Sequence, residues 1–309
     1  MIATLTVNPA IDRNITVDRL VFEDRAYILS STEAAGGRGI LASQVIHSFG
    51  GQTLAVLISG GPAGQKLEQL LKGLGFQVKV LRIRREVRTT LTITDKQGLT
   101  IKLNERGPLI EADELEGLER LVLNRLSKTD WLMMCGSIPP GVAPNFYRGL
   151  AAAAKAAGVK VLIDTDGDAL VGAIEAAPTV LTPNQYEAER LLGTALVTRS
   201  QFLEAARRMV EMGADSVLLS LGSRGAVGAR AGELIEVVPP RVDAVCPIGA
   251  GDALAAAFVW AISKNDDFAD ALRWGVAAGT ASAMLPGTNF ATYEQTQRMY
   301  ERVEVRQAE

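Results

Sequence analysis

Histidine occurs once in the 309 residues, at position 47, and cysteine only twice, at 135 and 246. His47 has no partner in the sequence and reads as a helix-surface residue. Two cysteines cannot by themselves make a disulfide framework or a zinc site, and they suit a reducing cytoplasm. Met1 to Pro9 lacks the basic-then-apolar pattern of a secretory leader. The longest apolar run, Ala253 to Ile262, is far shorter than the roughly 20 residues of a membrane-spanning helix. Positive charge is not in excess either: 32 Lys and Arg against 35 Asp and Glu leave a net charge of −3. Neither nucleic acid nor an anionic membrane is therefore expected as a partner. No internal repeat, low-complexity segment or long linker divides the chain, and no Gly-x-Gly-x-x-Gly follows the first strand, which disfavours a dinucleotide oxidoreductase.

What is present centres on Cys246-Pro247-Ile248-Gly249-Ala250-Gly251-Asp252, a small-residue loop running into an Ala-rich apolar helix. The first N–H groups of a helix have no intrahelical partner, and the macrodipole adds partial positive charge there. Gly249, Ala250 and Gly251 let the backbone approach a bound anion. Asp252 beside that site would be repelled by a phosphate unless it has a task, such as orienting a hydroxyl and accepting its proton.

The remaining chain alternates strands and helices, which implies one doubly wound, mostly parallel α/β sheet. Ile2 to Val7 reads as the first strand and places Asp12 just beyond its carboxyl end, where open α/β sheets hold ligands. Ala34-Ala35-Gly36-Gly37-Arg38-Gly39 enters a helix from Ile40 to Phe49 and makes a second glycine-rich helix start. Four short strands break the rhythm: Ile15-Thr16-Val17, Tyr27-Ile28-Leu29, Val87 to Thr94 and Leu99 to Leu103. They are expected to pair into a small sheet, a lid built from insertions at about 13–34 and 86–106 on a single domain, 1–309. Further helices are expected over Phe268 to Leu285 and Tyr293 to Val303.

In order along the chain, these loops resemble the PfkB-type carbohydrate kinase family, with its ribokinase-like fold. Ile248-Gly249-Ala250-Gly251-Asp252 resembles the C-terminal signature, and Gly36-Gly37-Arg38-Gly39 the N-terminal one. Asn8-Pro9-Ala10-Ile11-Asp12, Gly136-Ser137-Ile138-Pro139-Pro140-Gly141, the stretch from Asp164 to Leu170, and Val276 to Gly279 through Gly287-Thr288 are similar to the phosphoketohexose branch. That branch comprises 1-phosphofructokinase, the minor type of 6-phosphofructokinase and tagatose-6-phosphate kinase.

The resemblance implies an ATP- and Mg²⁺-dependent kinase acting on a ketohexose phosphate. It implies Asp252 as base, with Gly249, Ala250 and Gly251 as the anion hole for the transferring phosphoryl group. Asp12, Gly36, Gly37 and Arg88 would hold the sugar phosphate, with Arg38 and Ser137 nearby. Asn184 and Glu187 would handle metal and nucleotide phosphates, and Ser220, Gly222 and Gly225 would line the nucleotide site. A cytoplasmic homodimer joined through the lid is also implied. Three departures from the family pattern stand out: Leu41 replaces an Asn that contacts the sugar, Thr182 replaces a Lys, and Cys246-Pro247 replaces a polar residue and Thr. Leu41 could face either the sugar or the core. The departures leave open a kinase of an unphosphorylated sugar or nucleoside, and a regulatory protein that binds a sugar phosphate without turnover.

Overall fold

The computed structural model describes residues 1–21, 23–287 and 289–308. Phe22, in the first insertion, and Thr288, in the C-terminal motif, lie outside them. The chain begins with β1 (Ile2–Thr6), then β2 (Ala10–Val17) and β3 (Ile28–Gly36). Next come α1 (Arg38–Ser48), β4 (Thr53–Ser59), α2 (Gly61–Lys72), β5 (Gln77–Arg82), β6 (Arg88–Asp95) and β7 (Thr100–Asn104). A regular series follows: α3 (Ala112–Leu123), β8 (Trp131–Cys135), α4 (Phe146–Ala156), β9 (Lys160–Asp164), α5 (Gly167–Glu175) and β10 (Val180–Leu181). It continues through α6 (Gln185–Leu192), α7 (Arg199–Glu211), β11 (Ser216–Ser220), β12 (Ala226–Arg230) and β13 (Glu233–Val238). The last elements are α8 (Ala250–Ile262), α9 (Phe268–Ala283), α10 (Tyr293–Tyr300) and β14 (Glu304–Gln307).

Ten strands form one sheet in the order β14-β13-β12-β11-β10-β9-β8-β1-β4-β5. From β5 to β11 all neighbours are parallel, and β11 to β14 are antiparallel. The chain moves from β1 outward to β4 and β5, then returns to β8 and continues the other way. The order therefore reverses at the β1–β8 pair, and a crevice at the carboxyl ends of these strands is the ligand position of an open α/β sheet.

Side-chain alternation explains the layers. Trp131, Met133 and Cys135 of β8 enter the core under α1, α8 and α9, whereas Leu132 and Met134 enter the core under α2 to α7. Successive residues of a strand point to opposite faces, so a strand covered on both sides is apolar throughout. α8 is apolar all round because it is enclosed: every residue from Ala253 to Ala261 is buried. Truncating Phe258 there to Ala would cost about 3–5 kcal/mol.

The four irregular strands form a separate small sheet in the order β3-β2-β6-β7. Its β6 and β7 have the expected lengths, whereas β2 and β3 are longer than the sequence pattern suggests. β2 begins at Ala10, so Asp12 belongs to this sheet and not to a loop after β1. β3 reaches Gly36 and delivers the chain directly into α1. The expected helix over Tyr293 to Val303 stops at Tyr300, and the chain then adds β14 to the edge of the large sheet.

Candidate active site

The carboxyl ends of β1, β8, β9, β10 and β11 converge with α1, α8 and the small sheet around a cleft of about 330 Å³. Its lining includes Asp12, Gly37, Arg38, Arg88, Ser137, Asn184, Glu187, Ser220, Gly249, Gly251 and Asp252 from the residues singled out in the sequence. Gly36, Ala250, Gly222 and Gly225 are not in it.

Gly36 has an indirect place there. It pairs with Ala10 in the small sheet, and a Cβ added to it would overlap the Asp12 carboxylate. Ala250 is the first residue of α8, and its N–H donates to the Pro247 carbonyl at 3.2 Å, so that donor is already engaged. Gly222 and Gly225 lie in the turn from β11 to β12, beyond Ser220.

Gly249 caps α8 with φ 83°, a left-handed conformation that glycine adopts without strain. No side chain caps the helix, so the first-turn amides of Gly251 and Asp252 face the cleft without an intrahelical acceptor. Burial, and secondarily the charge of Asp164, push the Asp252 carboxyl up to about 8, while Arg38 and Lys102 pull it down. A carboxylate held near neutrality beside a helix N-terminus can take a proton from a hydroxyl at physiological pH.

Arg38 crosses from the first turn of α1 to the far side of the cleft. Nη1 donates to Asp164 Oδ1 at 3.0 Å and Nη2 to Asp166 Oδ2 at 2.8 Å, and Nη2 lies 3.5 Å from Glu187 Oε1. Asp164 ends β9, and Asp166 is the N-cap residue of α5. Burial raises the Asp164 carboxyl despite the guanidinium. Glu187 is pushed up to about 7, first by burial and then by Asp164.

Asn184 and Glu187 also form a capping box at the start of α6. The Glu187 N–H donates to Asn184 Oδ1 at 2.9 Å, and the Asn184 N–H donates to Glu187 Oε2 at 2.8 Å. This local role accounts for the Asn-x-x-Glu spacing independently of any ligand. Among the described residues, no group of three or more acidic, Cys or His side chains is arranged to hold a metal.

On the small sheet, Arg88 begins β6. Its Nη1 donates to the Glu105 carbonyl at 3.0 Å and its Nη2 to the Asn8 carbonyl at 3.1 Å, and its buried Nε has no partner. Asn8 Nδ2 in turn donates to Ser137 Oγ at 3.3 Å. Asp12 accepts a hydrogen bond from Thr90, and burial raises its carboxyl. Leu41 is 6% exposed, yet it lines the cleft and belongs to neither apolar core cluster. Of the two orientations left open by the sequence, the one facing the cleft is found.

The cleft also contains residues that the sequence did not single out as site groups: Asn8, Thr90, Lys102, Asn104, Asp164 and Asp166. Lys102 and Asn104 lie on β7, where an isolated Lys-x-Asn carries no recognisable signal.

The model of the pfkB family carbohydrate kinases matches residues 5–295. The chain belongs to that family. It is 30% identical to 1-phosphofructokinase of Borreliella burgdorferi, with 92% of each chain covered. It is 27% identical to tagatose-6-phosphate kinase of Staphylococcus epidermidis, with 99% of each covered. Its fold superposes on phosphofructokinase-2 of Escherichia coli, solved with substrates and products, with a TM-score of 0.91 and 30% identity. That match covers 97% of this chain and 98% of the other. The doubly wound sheet with a small accessory sheet is therefore the fold of a pfkB kinase.

Proposed function

We propose that this kinase transfers the γ-phosphoryl group of ATP to a hydroxyl of a ketohexose phosphate, giving a bisphosphate. The observation that carries the reading is Asp252 in the first turn of α8, at a helix start that no side chain caps, in the same cleft as Arg88. Phosphoryl transfer needs mainly positioning and charge stabilisation. Gly249, Gly251 and the α8 N-terminus stabilise the phosphoryl oxygens, and Asp252 accepts the hydroxyl proton. Asp12 orients the sugar, and Arg88 with Ser137 holds the acceptor phosphate through charge-assisted hydrogen bonds.

The donor set fits magnesium: Asn184, Glu187 and Asp164 offer hard oxygens but no closed cage. Mg²⁺ is bound in that way when phosphates and water supply most ligands. When bound, it neutralises charge on the nucleotide phosphates. Ser220, at the end of β11, borders the nucleotide side of the cleft.

The small sheet serves as a lid of the single kinase domain. Its apolar residues Tyr27, Ile28, Leu29, Leu99 and Leu103 are 50–65% exposed. A second copy of the chain covers them in a cytoplasmic homodimer with an isologous interface. A monomer mass at micromolar concentration, with and without ligands, contradicts this assembly.

The test of function is ADP release with Mg-ATP and a panel of fructose 1-phosphate, fructose 6-phosphate, tagatose 6-phosphate, fructose, ribose and adenosine. Turnover confined to the phosphorylated ketoses supports the proposal. Equal or greater turnover of the unphosphorylated acceptors contradicts it, and substrate binding without turnover identifies a regulatory binder.

A further inference from the structure

Three cations line the cleft: Arg38, Arg88 and Lys102. They are not equivalent. Arg38 is held by Asp164, Asp166 and Glu187. Among the described residues, no carboxylate lies within ion-pair distance of Arg88 or Lys102. Their charges are available to a ligand, and they sit at different places along the small sheet.

The register fixes those places. Asp12 of β2 lies opposite Thr90 of β6, and Thr90 opposite Asn104 of β7. Asp12, Thr90 and Asn104 thus form one row, and all three line the cleft. Residues two apart on a strand share a face, so the neighbouring rows on this face are also defined, each about 7 Å away. One contains Arg88, paired with Ala10. The other contains Lys102, paired with Thr92, itself paired with Asn14. Arg88 and Lys102 therefore flank the sugar-orienting Asp12 on opposite sides.

The Arg88 side continues into Asn8 and Ser137. Lys102 and Asp252 line the same cleft, and the Lys102 ammonium is near enough to lower the proton affinity of both Asp12 and Asp252. A ketohexose phosphate has the same two-ended form: a phosphate at one end and the reactive primary hydroxyl at the other. With its phosphate at Arg88 and its hydroxyl at Asp252, its reacting end lies towards the Lys102 row.

We infer that Lys102 is a catalytic residue of the small sheet that receives the γ-phosphoryl group in flight, while Arg88 reads the phosphate already on the acceptor. This assignment rests on the kinase reading above and deepens it. In the transfer, the acceptor oxygen forms a bond to phosphorus as the bond to the ADP oxygen breaks. The hydroxyl proton goes to Asp252, and ADP leaves with the bonding electron pair. The Lys102 ammonium compensates charge on the equatorial oxygens and exchanges no proton. A lysine serves here because it acts as a point charge on a flexible stem.

The test is steady-state kinetics of the full chain with Mg-ATP and whichever ketohexose phosphate it turns over, comparing Lys102→Gln, Lys102→Arg and Arg88→Ala. Lys102→Gln is expected to lower kcat about 10²-fold, the scale for losing one transition-state contact. The KM for the acceptor and for ATP should each stay within about threefold, and Lys102→Arg should recover most of the rate. Arg88→Ala should instead raise the acceptor KM. An unchanged kcat in Lys102→Gln overturns the assignment. So does a raised acceptor KM at normal kcat, which places Lys102 on the acceptor phosphate. A low kcat with a melting temperature below the assay range, in both Lys102 variants, makes the residue structural and also overturns it. A wild-type chain that turns over no ketohexose phosphate removes the kinase reading itself, an outcome distinct from any variant's failure.

Discussion

Arg38, in the first turn of α1, and Asp164, at the end of β9, are 126 residues apart and joined by a 3.0 Å hydrogen bond across the cleft. The bond ties the glycine-rich helix start to the carboxyl end of β9. It also positions a cation whose field lowers the proton affinity of Asp252.

Arg38→Gln removes that cation. The Asp252 carboxyl, already pushed up to about 8, should rise further. The base works only when deprotonated, so activity is lost as pH falls through its pKa. The acid limb of kcat/KM should therefore move to higher pH, with a larger loss at pH 7 than at pH 9. A pH–rate profile measures the shift; a uniform loss at all pH values contradicts this coupling.

Arg88→Ala should weaken acceptor binding by about 2–3 kcal/mol, through loss of a charge-assisted contact to a phosphate. ATP affinity should hardly change. Isothermal titration with each ligand separates the two, and an equal loss for both contradicts the assignment of Arg88 to the acceptor.

Leu41 faces the cleft without joining either core cluster. Replacing it with Asn offers hydrogen bonds to a sugar hydroxyl, at the cost of putting an amide at a position only 6% exposed. The KM for fructose phosphates or tagatose 6-phosphate should fall about tenfold, roughly the worth of one net hydrogen bond. Unaltered specificity would show that this position does not govern acceptor choice.

Much of this site was legible because its parts are local. The Gly249–Asp252 loop and its apolar helix are contiguous, and the strand–helix rhythm reports the sheet directly. The ionic clamp on Arg38 was not legible, since only the topology brings Asp164, Asp166 and Glu187 to one guanidinium. The small sheet was seen in outline, with β2 and β3 drawn too short. Ser30 to Gly36, rich in Ser and Ala, has little strand propensity, and pairing with β2 makes it extended. β14 was missed for the same reason: Glu304–Gln307 has no buried residue and is a strand only because β13 offers an edge.

Asp252 also carries a stability cost. A folded-state pKa of about 8, above the usual carboxylate range, means that the native state holds this proton more tightly than the unfolded chain. Its contribution is intact below about pH 4 and is lost as pH rises towards 8. Asp252→Asn should therefore melt a few degrees higher than the wild type at pH 8, by about 2–4 °C for a chain of this size, with the difference vanishing near pH 4. Thermal denaturation at both pH values checks the sign; a lower melting temperature at pH 8 contradicts it.

The most direct measurement is the rate of bisphosphate formation by the wild type and by Asp252→Asn, at saturating Mg-ATP and ketohexose phosphate. The substitution keeps the shape of the side chain and removes the base. Wild-type turnover with a kcat about 10²–10⁴-fold lower in Asp252→Asn, at little-changed acceptor affinity, is the predicted result. A near-normal kcat in Asp252→Asn would contradict the account, because the carboxylate at the start of α8 would then not be the group that takes the proton.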